Sequence, residues 1–322
     1  MPLELGKTAT LIDNKLSRFM PIMPPLGLIL GFFLPDVFIQ LRPLTPWFLS
    51  IMTFSGALRM RVSEFGSAVR NPLPILTFFV FARILMPIYI FFASSLVFGD
   101  TPDTISGFVL LYATPTAVSA FIWVTLFHGD KALGLTLILF DTLLSPLIMP
   151  FTISVLMGTN IIINTGGIII SLIFMVVLPT IVGVILNETS RSRIPALISP
   201  YFNPLAKVSI LLIIAGNASS ILPGIQLNDV EIWKVAGFCI LFTVTVLMLA
   251  RLTAFVLRYD YGKAVAFTLM GGLRNTSATI TIAAGFFPEA VALPALISIL
   301  FQQTLSGFVG KLFFRKTPDL SS

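Results

Sequence analysis

The feature that most constrains this chain is the near-absence of charge over ten successive stretches, each close to the length of a bilayer-spanning helix. A hydrocarbon core needs about 20 apolar residues at 1.5 Å rise per residue. Windows of this kind lie at roughly 19–35, 44–60, 72–94, 105–127, 132–156, 161–186, 203–222, 233–257, 264–285 and 291–314, the first two interrupted by Pro21, Pro24, Pro25, Pro43 and Pro46. Of the 322 residues 56% are hydrophobic and 11% charged, against about a quarter charged in soluble domains. That deficit excludes disordered, collagen-like and coiled-coil proteins and most soluble folds. One cysteine, Cys239, excludes an internal disulfide framework and a cysteine zinc cluster, and one histidine, His128, excludes a multi-histidine metal site.

The charges between the windows test the count. The start, MPLELGKTATLIDNKLSRF, is polar and mixed in charge and carries no cleavable signal pattern. With the N-terminus cytoplasmic, the inside loops hold 14 basic residues (Lys7, Lys15, Arg18, Arg59, Arg61, Arg70, Lys131, Arg191, Arg193, Arg258, Lys263, Lys311, Arg315 and Lys316) and the outside loops two, Arg42 and Lys234. One missed or invented span would swap every later loop, so the asymmetry supports ten spans with both termini cytoplasmic, in a plasma (inner) membrane. It also explains the net charge of +6 without any nucleic-acid partner. Spans one to five and six to ten then form two halves of opposite orientation. The stretch 187–202, NETSRSRIPALISPYF, reads as the longest internal polar loop.

Ionisable groups in hydrocarbon cost about 2.5–3.5 kcal/mol each even on an insertion scale, so they face a protein interior or a wet cavity. Three sit near mid-span: Arg83, Asp141 and Arg274. Arg274 lies in MGGLRNTSAT (270–279), where a glycine pair predicts a helix break and Asn275, Thr276 and Ser277 offer caps for a restart. Span four shows the same grammar in YATPTAVSA (112–120), with Thr114 as a cap and Pro115 in the first position of a new helix. Broken backbone at this depth is tolerated where it is buried or lines a cavity. Two breaks in corresponding spans of the two halves point to a transport site at a repeat interface. The helix N-termini and the arginines make that centre favour an anion. The candidate substrate-binding residues are Arg274, Asn275, Thr276, Ser277, Thr114, Thr116 and Ser119, joined by Gln303 and Thr304. The last two belong to a polar turn, Gln302, Gln303, Thr304 and Ser306, that reads equally as helix glue. Asp141 and Arg83 are the candidate coupling or structural ion pair. GLILG (27–31) favours tight helix packing over a dimer face.

Residues 112–150, YATPTAVSAFIWVTLFHGDKALGLTLILFDTLLSPLIMP, resemble the fourth and fifth spans of the bile acid:sodium symporter family, and AVAFTLMGGLRNTSATITIAAGFFPEAVALPALISILFQQTLSGFVGKLF (264–313) resembles its ninth and tenth. LSIMTFSGALRM (49–60) and RILMPI (83–88) fit its second and third less specifically. The resemblance implies an all-α polytopic fold of ten transmembrane helices in two inverted five-helix repeats. Discontinuous helices four and nine would cross in a core (72–156 and 233–314) beside a panel (19–60 and 161–222). The implied substrates are organic anions, bile acids or smaller carboxylates, moved with sodium. The family's sodium-ligating positions fall here on Ala82, Ala120, Phe121, Gly134, Ile138, Met270 and Arg274, so the ligands for Na⁺ are largely missing. No cofactor and no resident metal is expected. The expectation is instead a guanidinium, that of Arg274, in the region the family gives to sodium, and transport without classical sodium coupling.

Two other classes compete. An intramembrane enzyme needs a nucleophile with its base, or a metal cluster; there is no H-E-x-x-H, no second histidine and no second intramembrane carboxylate beside Asp141. An anion pore fits one broken pair per chain less well than alternating access does. Among transporters, the auxin-efflux-carrier type shares the broken-helix plan and a Ser-Pro near the end of span five, here Ser145-Pro146, with proton coupling or none.

Overall fold

Backbone amides find no water inside hydrocarbon, so such a chain must close its hydrogen bonds internally. The computed structural model, which describes residues 11–13, 15–17, 19, 22–61, 70–158, 164–224 and 229–314, does so with helices. The single β contact among these residues is one isolated bridge. In chain order the helices are α1 (Met23–Phe33), α2 (Thr45–Ala57), α3 (Leu73–Val97), α4 (Pro102–Ala113), α5 (Ala120–Leu126), α6 (Lys131–Met157), α7 (Thr165–Thr189), α8 (Arg193–Ile221), α9 (Val230–Val256), α10 (Tyr261–Gly272), α11 (Thr276–Phe286) and α12 (Glu289–Phe313). Six of them, α3, α6, α7, α8, α9 and α12, are long and apolar enough to cross a membrane. A seventh is added if α1 and the helical stretch Pro35–Ala57, which meet at 106°, count as one bent span. The protein is therefore an all-α polytopic membrane protein.

The expected fourth and ninth spans are broken, but not quite as their sequences suggest. α4 ends at Ala113, and Thr114 is extended (φ −70°, ψ 155°), as a residue before proline prefers. Helix resumes only at Ala120, so Thr114 ends α4 rather than capping the start of a new helix, and Pro115 is not a first helical residue. The backbone between is held extended by a partner strand described below. In the ninth span the glycine pair does not break the helix, because Gly271 and Gly272 form the last turn of α10. Their role is close approach: a Cβ on Gly272 would stand 2.3 Å from the Leu247 side chain of α9, and one on Gly271 3.1 Å from the Phe81 ring of α3. The break follows at Leu273, and α11 restarts at Thr276, where the Asn275 side chain accepts from the amide of Ala278 at 3.1 Å as expected of an N-cap.

A second correction concerns 187–202. Instead of a long loop, α7 runs to Thr189 and α8 starts at Arg193, ten residues before the apolar window. A tight turn with positive φ at Arg191 (49°) and Ser192 (66°) makes the reversal, and Pro195 falls in the first turn of α8 where its missing N–H costs nothing.

Packing sorts the helices. α8 lies along α1 and α2, and α7 lies on α2. Separately, α9 packs on α10 and α12, α3 on α4, α4 on α6, and α5 on α10. The sets meet where α6 lies along α7 and through α11, which touches α8 and α2 as well as α12. The G-x-x-x-G of α1 is used within the chain: a Cβ on Gly31 would stand 2.6 Å from the carbonyl oxygen of Ala215 in α8. Gly31→Leu should therefore force α1 off α8, with a loss of at least about 1–3 kcal/mol from overpacking. Its melting temperature in detergent should fall well below wild type, and an unchanged value would show that this contact is absent.

Candidate functional site

The two breaks meet. Leu273–Asn275 runs antiparallel to Pro115–Ala117, with the amide of Asn275 donating to Pro115 O at 2.9 Å and the amide of Ala117 to Leu273 O at 3.2 Å. Thr116 and Arg274 stand opposite each other in this two-residue ribbon. A ribbon so short has two bare edges, and each is completed by a side chain. The Thr116 amide donates to Asp141 Oδ2 (2.7 Å) on α6. The Gln302 amide of α12, oriented to satisfy both its ends, accepts from Arg274 N (2.7 Å) and donates to Arg274 O (3.0 Å). A planar carboxamide thus acts as a one-residue strand.

The charges sit at helix ends. Arg83, 5% exposed, donates through Nη1 to the last carbonyls of α4, Ala113 O at 2.5 Å and Thr114 O at 3.2 Å. Its Nε meets Asp141 Oδ1 at 2.5 Å, and its Nη2 meets Asp141 O at 3.3 Å. Asp141 is wholly buried, with one oxygen on Arg83 and the other on the ribbon. Arg274 is also wholly buried. Its Nη2 donates to Gly271 O, at the end of α10, and to Ala82 O, each at 3.2 Å. Ala82 lies in the π-helical turn Val80–Leu85 that also carries Arg83. The guanidinium carbon of Arg274 is 5.7 Å from the centre of the Tyr112 ring, a cation–π distance. Its Nε and Nη1 have no hydrogen-bond partner among the described residues. Two guanidiniums and one carboxylate leave one excess positive charge at the crossing. Each guanidinium caps a helix C-terminus, where the helix dipole favours a cation.

Hydroxyl groups knit the crossing together. Thr114 Oγ1 is 2.9 Å from Thr279 Oγ1, and Thr116 Oγ1 donates to Met270 O at 3.2 Å. Thr276 and Ser277, in the first turn of α11, are buried. Gln303 reaches α5 instead: it donates to Ser119 Oγ and accepts from the Trp123 indole N–H, both at 2.8 Å. The α5 rings fit closely because α12 carries glycines there; a Cβ on Gly307 would lie 2.5 Å from Trp123 and one on Gly310 2.3 Å from Phe127. Ser119, Asn275 and Gln303 are partly exposed, whereas Arg274 is wholly buried. Thr304 is exposed and is not brought into the buried cluster. Gln302 and Tyr112 were not singled out by sequence; the polar turn in span ten marked the first, and nothing marked the second. Among the described residues no three His, Cys, Asp or Glu side chains come together as a metal cluster.

Removing one member of a buried ion pair leaves an uncompensated charge, a loss of about 3–5 kcal/mol, while replacing both by apolar groups is far milder. Asp141→Leu should melt well below wild type, and Arg83→Met/Asp141→Leu should recover part of that loss. A double variant no better than the single one would show that the carboxylate serves the ribbon alone.

Residues 46–222, more than half of the chain, match the model of the Sodium Bile acid symporter family. The chain is 31% identical over 296 residues to the uncharacterized protein YbaS of Bacillus subtilis, covering 92% of this chain and 97% of that one. It is 25% identical over 296 residues to the uncharacterized sodium-dependent transporter YocS of the same organism, covering 89% and 88%. It is 22% identical over 321 residues to the probable sodium/metabolite cotransporter BASS1, chloroplastic, of Arabidopsis thaliana, covering 98% and 78%. With crossed, interrupted helices at its centre and these relatives along its length, the chain is a membrane transporter and belongs to the sodium bile acid symporter family.

Proposed function

We propose that this chain is a secondary transporter of a small organic anion, working by alternating access, in which the tethered guanidinium of Arg274 does the structural work of a bound cation. The observation that carries the reading is the excess positive charge buried at the paired breaks. A sodium ion needs several oxygen ligands. Here Asp141 has both oxygens engaged, and Ala82 O and Gly271 O accept from Arg274. A cation placed about 4–5 Å from that guanidinium meets a repulsion of about 3–4 kcal/mol at an effective dielectric near 20. The donor set does not suit sodium, and coupling is to protons, to exchange, or absent.

In this reading α1, α2, α7 and α8 form a panel, the other helices form a core built from inverted repeats, and Ser119, Asn275 and Gln303 form the polar lip that an anion meets first. Arg274 acts from behind that lip, through its field and by holding the backbone of α11 in place, rather than by direct contact. Arg42, on the α1–α2 connection, pairs with Glu289 at the start of α12 (2.6 Å) and donates to Ala284 O (3.2 Å), tying panel to core at one face. Alternating access requires that contact to open. The membrane is the plasma (inner) membrane, with both termini in the cytoplasm.

The test is uptake of labelled carboxylates into proteoliposomes, in sodium or choline medium and with or without a pH gradient. Uptake should be the same in choline as in sodium. Arg274→Gln should abolish it, and Arg274→Lys, which keeps the charge, should retain a measurable part. Strict sodium dependence, or full activity of Arg274→Gln, overturns the reading.

A further inference from the structure

A cavity of about 470 Å³ lies far from the crossing, where α9, α10 and α12 end. It is lined by Arg251 and Phe255 of α9, by Arg258 and Tyr259 of the α9–α10 turn, and by Phe313 and Phe314. The transport reading uses none of these residues. Arg251 is held with its guanidinium carbon 5.6 Å from the centre of the Phe314 ring, and its buried Nε has no hydrogen-bond partner among the described residues. Arg258 sits in the left-handed region (φ 54°), which places a second, exposed arginine at the mouth. Among the described residues no carboxylate lines the cavity, and neighbouring Asp260 is paired with Lys263 at 2.5 Å. The floor is fixed, because Tyr261 Oη donates to Phe127 O (3.1 Å) or Phe314 O (3.2 Å). On the outer side Phe255, Leu252 and Val256 are exposed apolar groups of a membrane-crossing helix.

Two arginines with no acidic partner among the described residues, one of them held against a ring, offer planar donor groups for a phosphate. Exposed hydrocarbon beside them suits an acyl chain. The cavity also opens on the face that the distribution of basic loops assigns to the cytoplasm, where anionic headgroups attract basic pockets between spans. We propose that this cavity binds the phosphate headgroup of an anionic phospholipid, with Arg251 and Arg258 as its ligands and Phe255 along the lipid chain.

The purified full chain, in detergent, is titrated with phosphatidylglycerol, with phosphatidylcholine of the same chains, or with inorganic phosphate. Melting temperature and lipid retained in native mass spectrometry are read in parallel. Phosphatidylglycerol should raise the melting temperature and be retained, and phosphatidylcholine should do neither. Arg251→Gln/Arg258→Gln should weaken the phosphatidylglycerol response about tenfold or more in concentration, at about 1 kcal/mol per arginine, while melting like wild type in phosphatidylcholine. Arg251→Lys/Arg258→Lys should keep part of the response, which distinguishes lost charge from a damaged fold. Equal responses to the two lipids, or an unaltered response of the Gln variant, overturn the proposal. An equal shift from inorganic phosphate overturns the lipid as the source and leaves a soluble anion in its place.

Discussion

Everything at the centre of this molecule depends on two pieces of extended backbone finding partners where no water can serve. A helix satisfies itself; a break does not, and each unmet N–H or C=O in hydrocarbon costs several kcal/mol. The chain meets the demand by pairing the two breaks with each other through Asn275 N and Ala117 N, then closing the outer edges with Asp141 and Gln302. The two closures are related. Asp141 lies 25 residues after Thr116, and Gln302 lies 28 residues after Arg274, each on the second helix after its own break, α6 and α12. A carboxylate can only accept, so it serves an N–H; a carboxamide both donates and accepts, so it serves a whole residue.

The charges follow the same logic at the helix ends. The last carbonyls of α4 and α10 point into the crossing, and a positive group is the natural complement to each. Arg83 supplies it from α3 for α4, and Arg274 supplies it from its own chain for α10. Asp141 neutralises one of the two. In the proposed transport reading the remaining charge favours an anion over a metal cation at the crossing, and in this chain that charge cannot leave, since it is covalently attached.

Close helix approach supports the site from outside. Glycines at 271 and 272 bring α10 against α3 and α9, which places Ala82 O within reach of Arg274. Glycines at 307 and 310 seat the aromatic rings of α5 against α12 and set Gln303 on Ser119 and Trp123. The second half of the broken fourth span is only seven residues long and has no side-chain cap at Ser119, so these contacts, rather than its own hydrogen bonds, position it.

The sequence by itself determined the medium, because the run of uncharged windows leaves no soluble alternative. It also determined that Arg83, Asp141 and Arg274 must be buried in protein, because hydrocarbon does not tolerate them exposed. It marked both breaks, since proline and cap residues act locally and can be read locally. It misplaced their edges, because where a helix stops here depends on a strand more than 150 residues away: Thr114 to Ser119 stay non-helical to meet 273–275, and the glycines read as breakers serve neighbouring helices instead. It also read 187–202 as loop, although thirteen of its residues are helical, because polarity at the end of a span marks exit from the lipid and not the end of the helix. Only the tertiary structure decided that Gln302 pairs with backbone while Gln303 turns to α5, and that Thr304 faces outward. Each of these is a choice of direction around a helix already apolar on every side, and such a helix carries no periodicity from which direction could be read.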